Sequence, residues 1–168
     1  MTEYNDIYDR DRNLTGRLHQ RGTPWGPGEY GLVVCVWVYD GRGHLLLTRR
    51  AKGKSFAGTW ENSGGAALAG ETSLQAICRE LREETGAVPG ELRSLGELYP
   101  SPGYCGEIIH MWACRVADMQ EQRLDPGEFL DVVKLPLEKA QALVMENKIP
   151  DAKTQVLILR CADILEHR

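Results

Sequence analysis

An α/β layered domain is the fold class that the sequence predicts, and three observations support it. Residues 31–39 read Gly-Leu-Val-Val-Cys-Val-Trp-Val-Tyr, an unbroken β-branched and aromatic run that indicates a central strand. Residues 71–85 show the apolar spacing of a helix, and a second apolar helical segment covers 152–166. Because further strand-type runs lie between them, strands and helices interleave, which is typical of a layered α/β domain.

The N-terminal part is expected to hold a hairpin, a loop and a pair of strands. Residues 1–30 are polar and turn-rich, with a short hairpin at 8–17 and a loop at 22–28. Residues 40–43, Asp-Gly-Arg-Gly, predict a turn between the central strand and a returning strand at 44–49.

Small residues and glycines fill 53–70, and the helix at 71–85 follows, with Gly86 as its C-terminal stop. A core-facing stripe on this helix is formed at offsets 0, 3, 4 and 7 by Leu74, Ile77, Cys78 and Leu81. The remaining elements are expected as strands near 92–99, 107–116 and 129–135, a helix beginning around Pro136, and the last helix at 152–166.

Composition and charge describe a chain of single-domain size without a nucleic-acid or membrane signature. We expect one domain over 1–168, in which 1–30 is an N-terminal extension. The formal net charge of −4 gives no basic footprint for duplex nucleic acid or an anionic membrane. No apolar run approaches the roughly 20 residues that span a bilayer, and the N-terminus lacks the apolar core of a signal peptide. Since the five cysteines form no Cys-x-x-Cys pair, we expect reduced core thiols in a cytoplasmic protein.

Three glutamates on the predicted helix are the first sign of chemistry. Glu80, Glu83 and Glu84 lie at offsets 0, 3 and 4, so their carboxylates share one face beside the apolar stripe. Like charges in this spacing weaken a helix by roughly a few tenths of a kcal/mol per pair. A divalent cation such as Mg²⁺ or Mn²⁺ would reverse that cost, because hard cations take oxygen ligands and bind substrate phosphates. The alternative for these residues alone is a solvated helix face with salt bridges.

The spacing around these glutamates resembles a family signature. From Gly65 to Ala87 the chain reads G-x5-E-x7-R-E-L-x-E-E-x-G-x, which is similar to the 23-residue signature of the Nudix hydrolases. The last position, usually a larger aliphatic residue, is Ala87, with Val88 next to it. The resemblance implies a single Nudix hydrolase domain that folds as an α/β/α sandwich with a mixed β-sheet.

The resemblance also implies a metal site for Mg²⁺ or Mn²⁺. Such ions polarise a phosphoryl oxygen, offset the charge of a diphosphate and generate hydroxide near neutral pH, which hydrolysis of a phosphoanhydride needs. The implied metal ligands are Glu80, Glu83, Glu84 and the backbone carbonyl of Gly64, with Gly65 allowing close backbone approach.

Two further roles follow from the same resemblance. Arg79 is implied to support catalysis, and Glu71, eight residues earlier, is implied to orient it. The catalytic base stays open between Glu83 and a carboxylate of the loop 124–131, where Glu128 is the first candidate. The acids of that loop are equally explained as turn formers and solvated charges.

Segments outside the signature indicate a substrate class. Residues 99–104 and 107–110 resemble the loop and strand that close over the substrate in ADP-ribose and nucleotide-sugar pyrophosphatases, and 146–154 resembles their entry into the last helix. The implied reaction is hydrolysis of a small-molecule nucleoside diphosphate linked to another group, X. The related pyrophosphatases pair, so the resemblance implies a homodimer, which the sequence itself does not show.

Charged and aromatic residues supply candidates for substrate contacts. The substrate-binding candidates are Arg49, Arg50, Tyr104 and Glu107. Trp60 and Tyr104 are candidates to stack on a base, whereas Trp25, Trp37 and Trp112 are assigned to the core or an interface. The alternatives are solvated arginines after an edge strand and a plain surface turn at 99–104.

Two alternative functions stay open. Residues 47–63 resemble isopentenyl-diphosphate isomerases, which share a Nudix-like fold. That chemistry needs a cysteine and a histidine just after the Trp-x-Asn-Ser stretch, but residues 64–67 are Gly-Gly-Ala-Ala, so the reactive thiol is absent. The other alternative is a catalytically silent nucleotide-sensing Nudix module. Such a module has no hydrolytic activity, so Glu83→Gln and Glu84→Gln would have no activity to abolish.

Overall fold

A computed structural model describes residues 2–50, 56–101, 103, 107–124 and 130–166, with side chains described as far as residue 162. In chain order the strands are β1 (Tyr4–Tyr8), β2 (Leu14–Gln20), β3 (Leu32–Tyr39), β4 (His44–Arg50), β5 (Trp60–Glu61), β6 (Gly64–Ala66), β7 (Ala87–Leu98), β8 (Ile108–Met119) and β9 (Leu130–Pro136). The helices are α1 (Ser73–Thr85), α2 (Leu137–Met145) and α3 (Ala152–Glu166). None of the helices in these ranges combines the length and the apolar character that crossing a membrane requires.

A mixed sheet of seven strands forms the middle layer. Its hydrogen-bonded order is β5-β4-β3-β8-β7, while β6 pairs with β3 and β9 pairs with β4. β3 and β8 run parallel, and the other described pairings in this sheet are antiparallel. The predicted α/β class with a mixed sheet is therefore confirmed. The short strands β5 and β6 lie within 53–70, a segment for which the sequence predicted no element.

β3 is the centre of the sheet and is buried on both faces. One face belongs to a cluster that includes Val34, Val36, Val38, Ile77 and Leu81. The other face belongs to a cluster that includes Cys35, Trp37, Tyr39, Ala140 and Leu157. The first cluster joins the sheet to α1, and the second joins it to α2 and α3. Helices therefore cover both faces, as the α/β/α prediction requires, and burial on both faces explains the unbroken apolar run.

Local signals in the sequence fix both ends of α1. The Thr72 hydroxyl accepts a hydrogen bond from Gln75 N at 3.3 Å, and the Gln75 side chain accepts one from Thr72 N at 2.8 Å, which completes a capping box. At the other end Gly86 adopts the left-handed conformation, with φ 70°, and its N–H donates to Arg82 O.

The buried face of α1 differs from the predicted stripe. Ile77 and Leu81 are fully buried as predicted, but Leu74 is 45% exposed and Cys78 is only half-buried. Burial begins at Ala76, so the first helical turn does not lie over the sheet. Apolar spacing alone does not reveal where the sheet ends, and this is why Leu74 was placed in the core.

The N-terminal hairpin packs beside the loop that leads into α1. β1 and β2 form a separate two-stranded sheet that is longer than the hairpin predicted at 8–17. The buried Asn5 side chain donates to Ala67 O at 2.7 Å, and the Asp6 carboxylate accepts from Gly70 N at 2.7 Å. These bonds hold the hairpin against the segment that precedes the glutamate-bearing helix.

The described cysteines Cys35, Cys78, Cys114 and Cys161 are free thiols, in agreement with the expected reduced state. Burial raises the pKa of Cys35 and of Cys161 to about 12. Both thiols therefore stay protonated near neutral pH, and they act as small apolar side chains of the core.

We expect Gly86→Ala to destabilise the fold more than Gly70→Ala. Both glycines have positive φ angles, 70° and 82°, so alanine costs about 1 kcal/mol of backbone strain at either position. A Cβ at Gly86 would also overlap Gln120 O, whereas the space around Gly70 is open. Urea unfolding of the two variants measures the difference, and equal losses would contradict the close approach of the chain to Gly86.

Candidate active site

Two glycines allow β6 to lie close to its neighbours, Gly64 to β3 and Gly65 to α1. A Cβ at Gly64 would overlap Val34 O of β3, and a Cβ at Gly65 would overlap Glu80 Oε1 of α1. Neither glycine has a positive φ, so the lack of space requires them rather than backbone strain. The Glu80 carboxylate therefore lies directly against the strand.

Glu84 points inward, because the buried face of α1 is rotated relative to the predicted stripe. Its carboxylate accepts hydrogen bonds from Ser63 Oγ at 2.5 Å and from Gly64 N at 3.1 Å. Burial raises the pKa of Glu84 to about 8; the two donors offset part of this effect, and the Glu80 and Glu61 carboxylates add to it.

Arg79 links three glutamates through one guanidinium. Its Nε and Nη2 donate to the Glu71 carboxylate at 2.9 and 3.1 Å. Its Nη1 donates to Glu80 Oε1 at 3.0 Å and to Glu83 Oε2 at 3.1 Å. Nη2 also donates to Ala66 O at 3.1 Å, so the same side chain ties the helix to β6.

The network shifts the titration of its members in different directions. Burial opposes the charge on Arg79, but Glu71 and Glu80 raise the pKa of Arg79 above its usual range. Burial also opposes the charge on Glu71, but the hydrogen bonds from Arg79 and from Leu68 N lower the pKa of Glu71. Burial raises the pKa of Glu80, and Arg79 offsets only part of that rise. Glu71 is therefore a stable anion, whereas Glu80 and Glu84 carry charge at a cost.

By donor chemistry these residues fit a hard divalent cation. The clustered side chains present carboxylate oxygens, which are the ligands that Mg²⁺ and Mn²⁺ prefer. A cation would relieve the burial and repulsion that raise the pKa of Glu80 and Glu84. In the described ranges no three acidic, histidine or cysteine side chains converge as a preformed metal site. Instead Arg79 donates hydrogen bonds to Glu80 and Glu83, and Ser63 donates one to Glu84.

The two candidate arginines differ in their surroundings. Arg50 Nη1 donates to Glu61 Oε2 at 2.8 Å, and the Glu61 carboxylate lies close enough to Glu84 to raise its pKa. The Arg49 guanidinium lies 5.3 Å from the centre of the Trp60 ring. Arg50 is thus connected to the carboxylate cluster through Glu61, whereas Arg49 and Trp60 pack on each other.

The remaining candidates border neighbouring cavities or fall outside the described residues. Glu107, just before β8, borders two cavities beside the N-terminal hairpin. Tyr104 and Glu128 fall in segments outside the described residues, so their roles stay predictions.

Sequence reasoning did not single out Ser63 or Asn62 as site residues. Ser63 donates to Glu84, and Asn62 N donates to Thr154 Oγ1 at 2.9 Å, which ties this segment to the start of α3. The Asn62 side chain is 5% exposed, and neither of its polar atoms has a partner within the described part of the chain. The Trp-x-Asn-Ser stretch was the available signal, since it directly precedes the glycine pair.

A comparison of the sequence with protein families covers the segment that holds the glycine pair, Arg79 and the helix carboxylates. The family model described as NUDIX domain matches residues 29–156. The chain belongs to the Nudix family. The Nudix match begins before β3 and ends within α3, so it contains the sheet from β3 to β9 and all of α1, while the N-terminal hairpin precedes it.

Relatives of this Nudix chain are named as pyrophosphatases. The ADP-ribose pyrophosphatase of Bacillus subtilis is 30% identical over 156 residues, which cover 91% of this chain and 82% of the relative. A GDP-mannose pyrophosphatase of Citrobacter koseri is 31% identical over 156 residues, which cover 91% and 74%. A crystal structure of a Deinococcus radiodurans protein has a TM-score of 0.71 at 22% identity, covering 95% of this chain and 99% of that chain, and shows the shared fold. The predicted assignment to the Nudix hydrolases is confirmed.

In metal-free buffer we expect the free energy of unfolding to fall as the pH rises from about 4.5 to about 8. The folded-state pKa of Glu84, about 8, exceeds its ordinary value of 4.5, so the folded chain holds a proton that the unfolded chain releases. This contribution is complete below the unfolded pKa and is lost as the pH rises through the folded pKa.

Urea unfolding in EDTA at several pH values measures this dependence. Glu84→Gln, which cannot titrate, should flatten it. A variant curve as steep as that of the intact protein would show that Glu84 is not the titrating group.

Proposed function

We propose that this Nudix protein hydrolyses the diphosphate bond of a nucleoside diphosphate linked to X, with ADP-ribose or a nucleotide sugar as the substrate class. The observation that carries the proposal is the inward-facing Glu84, held by Ser63 and Gly64 beside the carboxylates that Arg79 links. The names of the relatives support the substrate class, because ADP-ribose and GDP-mannose both join a nucleoside diphosphate to a sugar.

The proposed metal site uses Glu80, Glu83, Glu84 and the backbone carbonyl of Gly64. When bound, Mg²⁺ or Mn²⁺ would polarise a phosphoryl oxygen, neutralise the diphosphate and lower the pKa of a water molecule. The contribution of the chain is to hold three carboxylates close together against their mutual repulsion. Arg79 does this for Glu80 and Glu83, while Glu71 holds Arg79 in place.

Two carboxylates are proposed as the base that takes a proton from the attacking water. The Glu83 side chain is 41% exposed, compared with 14% for Glu80, so Glu83 is the more open of these two helix glutamates to a water molecule. A general base must lie within hydrogen-bond reach of the water and carry a negative charge when the water binds. Glu128 of the loop 124–131 is the other candidate.

The proposed contacts to group X lie near Arg50. Arg50 and Glu61 border a cavity of about 440 Å³ together with Asp151 and Lys153. Guanidinium, ammonium and carboxylate groups so placed suit the hydroxyl groups of a sugar or a phosphate oxygen. Substrate contacts by Arg49, Tyr104 and Glu107 complete the proposal.

A panel of nucleoside diphosphate derivatives tests this function. With Mg²⁺ the intact protein should cleave at least one member, measured as phosphate released after phosphatase coupling, and EDTA should stop turnover. Glu84→Gln should lower kcat by more than about a hundredfold, because it removes a charged ligand and keeps the shape of the side chain. Glu138→Gln is the matched control, since Glu138 is an exposed glutamate in α2.

Two outcomes would count against the proposal. If the intact protein with Mg²⁺ hydrolyses no member of a broad panel, the hydrolase function is wrong. If Glu84→Gln and Glu138→Gln turn over equally well, hydrolysis does not use this carboxylate cluster.

A further inference from the structure

A cavity of about 560 Å³ lies between the N-terminal hairpin, the loop that follows it and the edge of β6. Its wall includes His19, Arg21, Trp25, Glu29, Ala66 and Glu107. This volume is within the range of pockets that hold a drug-sized ligand or a cofactor. Half of these wall residues come from before residue 29, where the Nudix match begins, so the match covers only part of the cavity wall.

The cavity lies next to the carboxylate cluster. Ala66 lines it, and the carbonyl of Ala66 accepts the hydrogen bond from Arg79 Nη2. The preceding residue, Gly65, is the one that lies against Glu80. A ligand in the cavity would therefore be separated from the cluster by a single strand residue.

Trp25 is held in place as a flat wall of this cavity. One face of its indole stacks on His19, with ring centroids 3.7 Å apart and an angle of 12° between the planes. Its benzo edge lies against the backbone at Gly31, where a Cβ would approach within 2.9 Å of the ring. His19 is 6% exposed, whereas Trp25 keeps 42% of its surface exposed. Of the two positions predicted for Trp25, the core or an interface, the core is therefore wrong, and the ring face away from His19 is left for a ligand.

The loop that carries Trp25 is braced by Glu29. The Glu29 carboxylate accepts from Gly26 N at 2.9 Å and from Arg17 Nη1 at 2.7 Å, and Glu29 N donates to Gly26 O at 3.1 Å. A stacking surface that is ordered before binding loses little conformational entropy when a ligand arrives.

The two cavities beside the carboxylate cluster differ in character. The cavity at Arg50 and Glu61 is bordered by four charged side chains together with Phe56, which is 82% exposed. The cavity at Trp25 also has charged wall residues, Arg21, Glu29 and Glu107, but it adds an aromatic face that His19 holds in place. The two lie towards opposite ends of the segment 61–66, at Glu61 and at Ala66, with the glycine pair between them.

We propose that the Trp25 cavity binds the nucleobase of the substrate by stacking on the indole, and that group X occupies the charged cavity. This inference rests on the proposed function, since it assigns the two ends of a nucleoside diphosphate linked to X. Stacking on an aromatic side chain tolerates every base, so the cavity favours nucleotides over diphosphates that lack a base, without choosing among bases.

Binding of mononucleotides tests this site without turnover. AMP and GMP carry a base but no phosphoanhydride bond, and ribose 5-phosphate carries neither. By isothermal titration calorimetry with Mg²⁺, the intact protein should bind AMP or GMP roughly tenfold to a hundredfold more tightly than ribose 5-phosphate. Trp25→Leu should remove that difference, and Trp25→Phe should keep most of it.

Tyr4→Leu is the matched control, because Tyr4 is also 42% exposed and belongs to the same hairpin but does not line the cavity. It should leave the preference unchanged. In the intact protein, the indole N–H resonance assigned with Trp25→Phe should shift on addition of AMP, which tests the contact even if Trp25→Leu does not fold.

The outcomes separate this inference from the proposed function. Equal affinity for AMP, GMP and ribose 5-phosphate, a preference that survives Trp25→Leu, or an indole resonance that AMP does not shift would overturn the base site. Base-dependent binding without hydrolysis of any panel member would support the base site and overturn the hydrolase function. Hydrolysis of a panel member without any preference for a base would support the hydrolase function and overturn the base site.

Discussion

The carboxylates of α1 lie against β6, and the glycine pair Gly64 and Gly65 makes room for that contact. At Gly65 a Cβ would occupy the position of the Glu80 carboxylate, and at Gly64 it would overlap the backbone of β3. A side chain at Gly64 would push β6 away from β3, and one at Gly65 would displace the Glu80 carboxylate. A shift of β6 would also move Ser63 Oγ and Gly64 N, the donors to Glu84. Packing of the sheet and chemistry of the helix therefore depend on the same close approach.

Charge compensation is the second requirement of this site. The Arg79 guanidinium contacts Glu71, Glu80 and Glu83, so one positive side chain offsets the charge of three carboxylates beside β6. Among the described residues, the donors to Glu84 are the neutral Ser63 Oγ and Gly64 N, and burial keeps the pKa of Glu84 raised. A bound divalent cation would stabilise the charged form of Glu84 and would compete with Arg79 for the other carboxylates. The burial and repulsion that raise the pKa of Glu80 and Glu84 would therefore favour binding of a cation.

The sequence predicts those elements of the fold whose signals lie in residues that are close together along the chain. The central strand is buried on both faces and so reads as one apolar run, and α1 has its cap residues within one turn of its ends. The strands at 60–66 were missed because their pairing depends on β3 and β4, which are distant in sequence. Spacing placed the three glutamates on one face, but it did not show that Glu84 turns inward or that Arg79 links the others. The sequence placed Trp25 in the core or an interface, because no local signal shows that His19 stacks on its ring.

Direct measurement of cation binding tests the central claim, which is that the α1 carboxylates and the glycine pair form a divalent metal site. Titration of the protein with Mn²⁺, followed by the loss of the electron paramagnetic resonance signal of the free ion, counts the bound ions without any substrate. The account predicts saturable binding that Mg²⁺ displaces. It also predicts that Gly65→Ala and Glu84→Gln each weaken this binding, because the first displaces the Glu80 carboxylate and the second removes a charged ligand. Mn²⁺ binding that is absent in the intact protein, or that neither variant alters, would contradict the account.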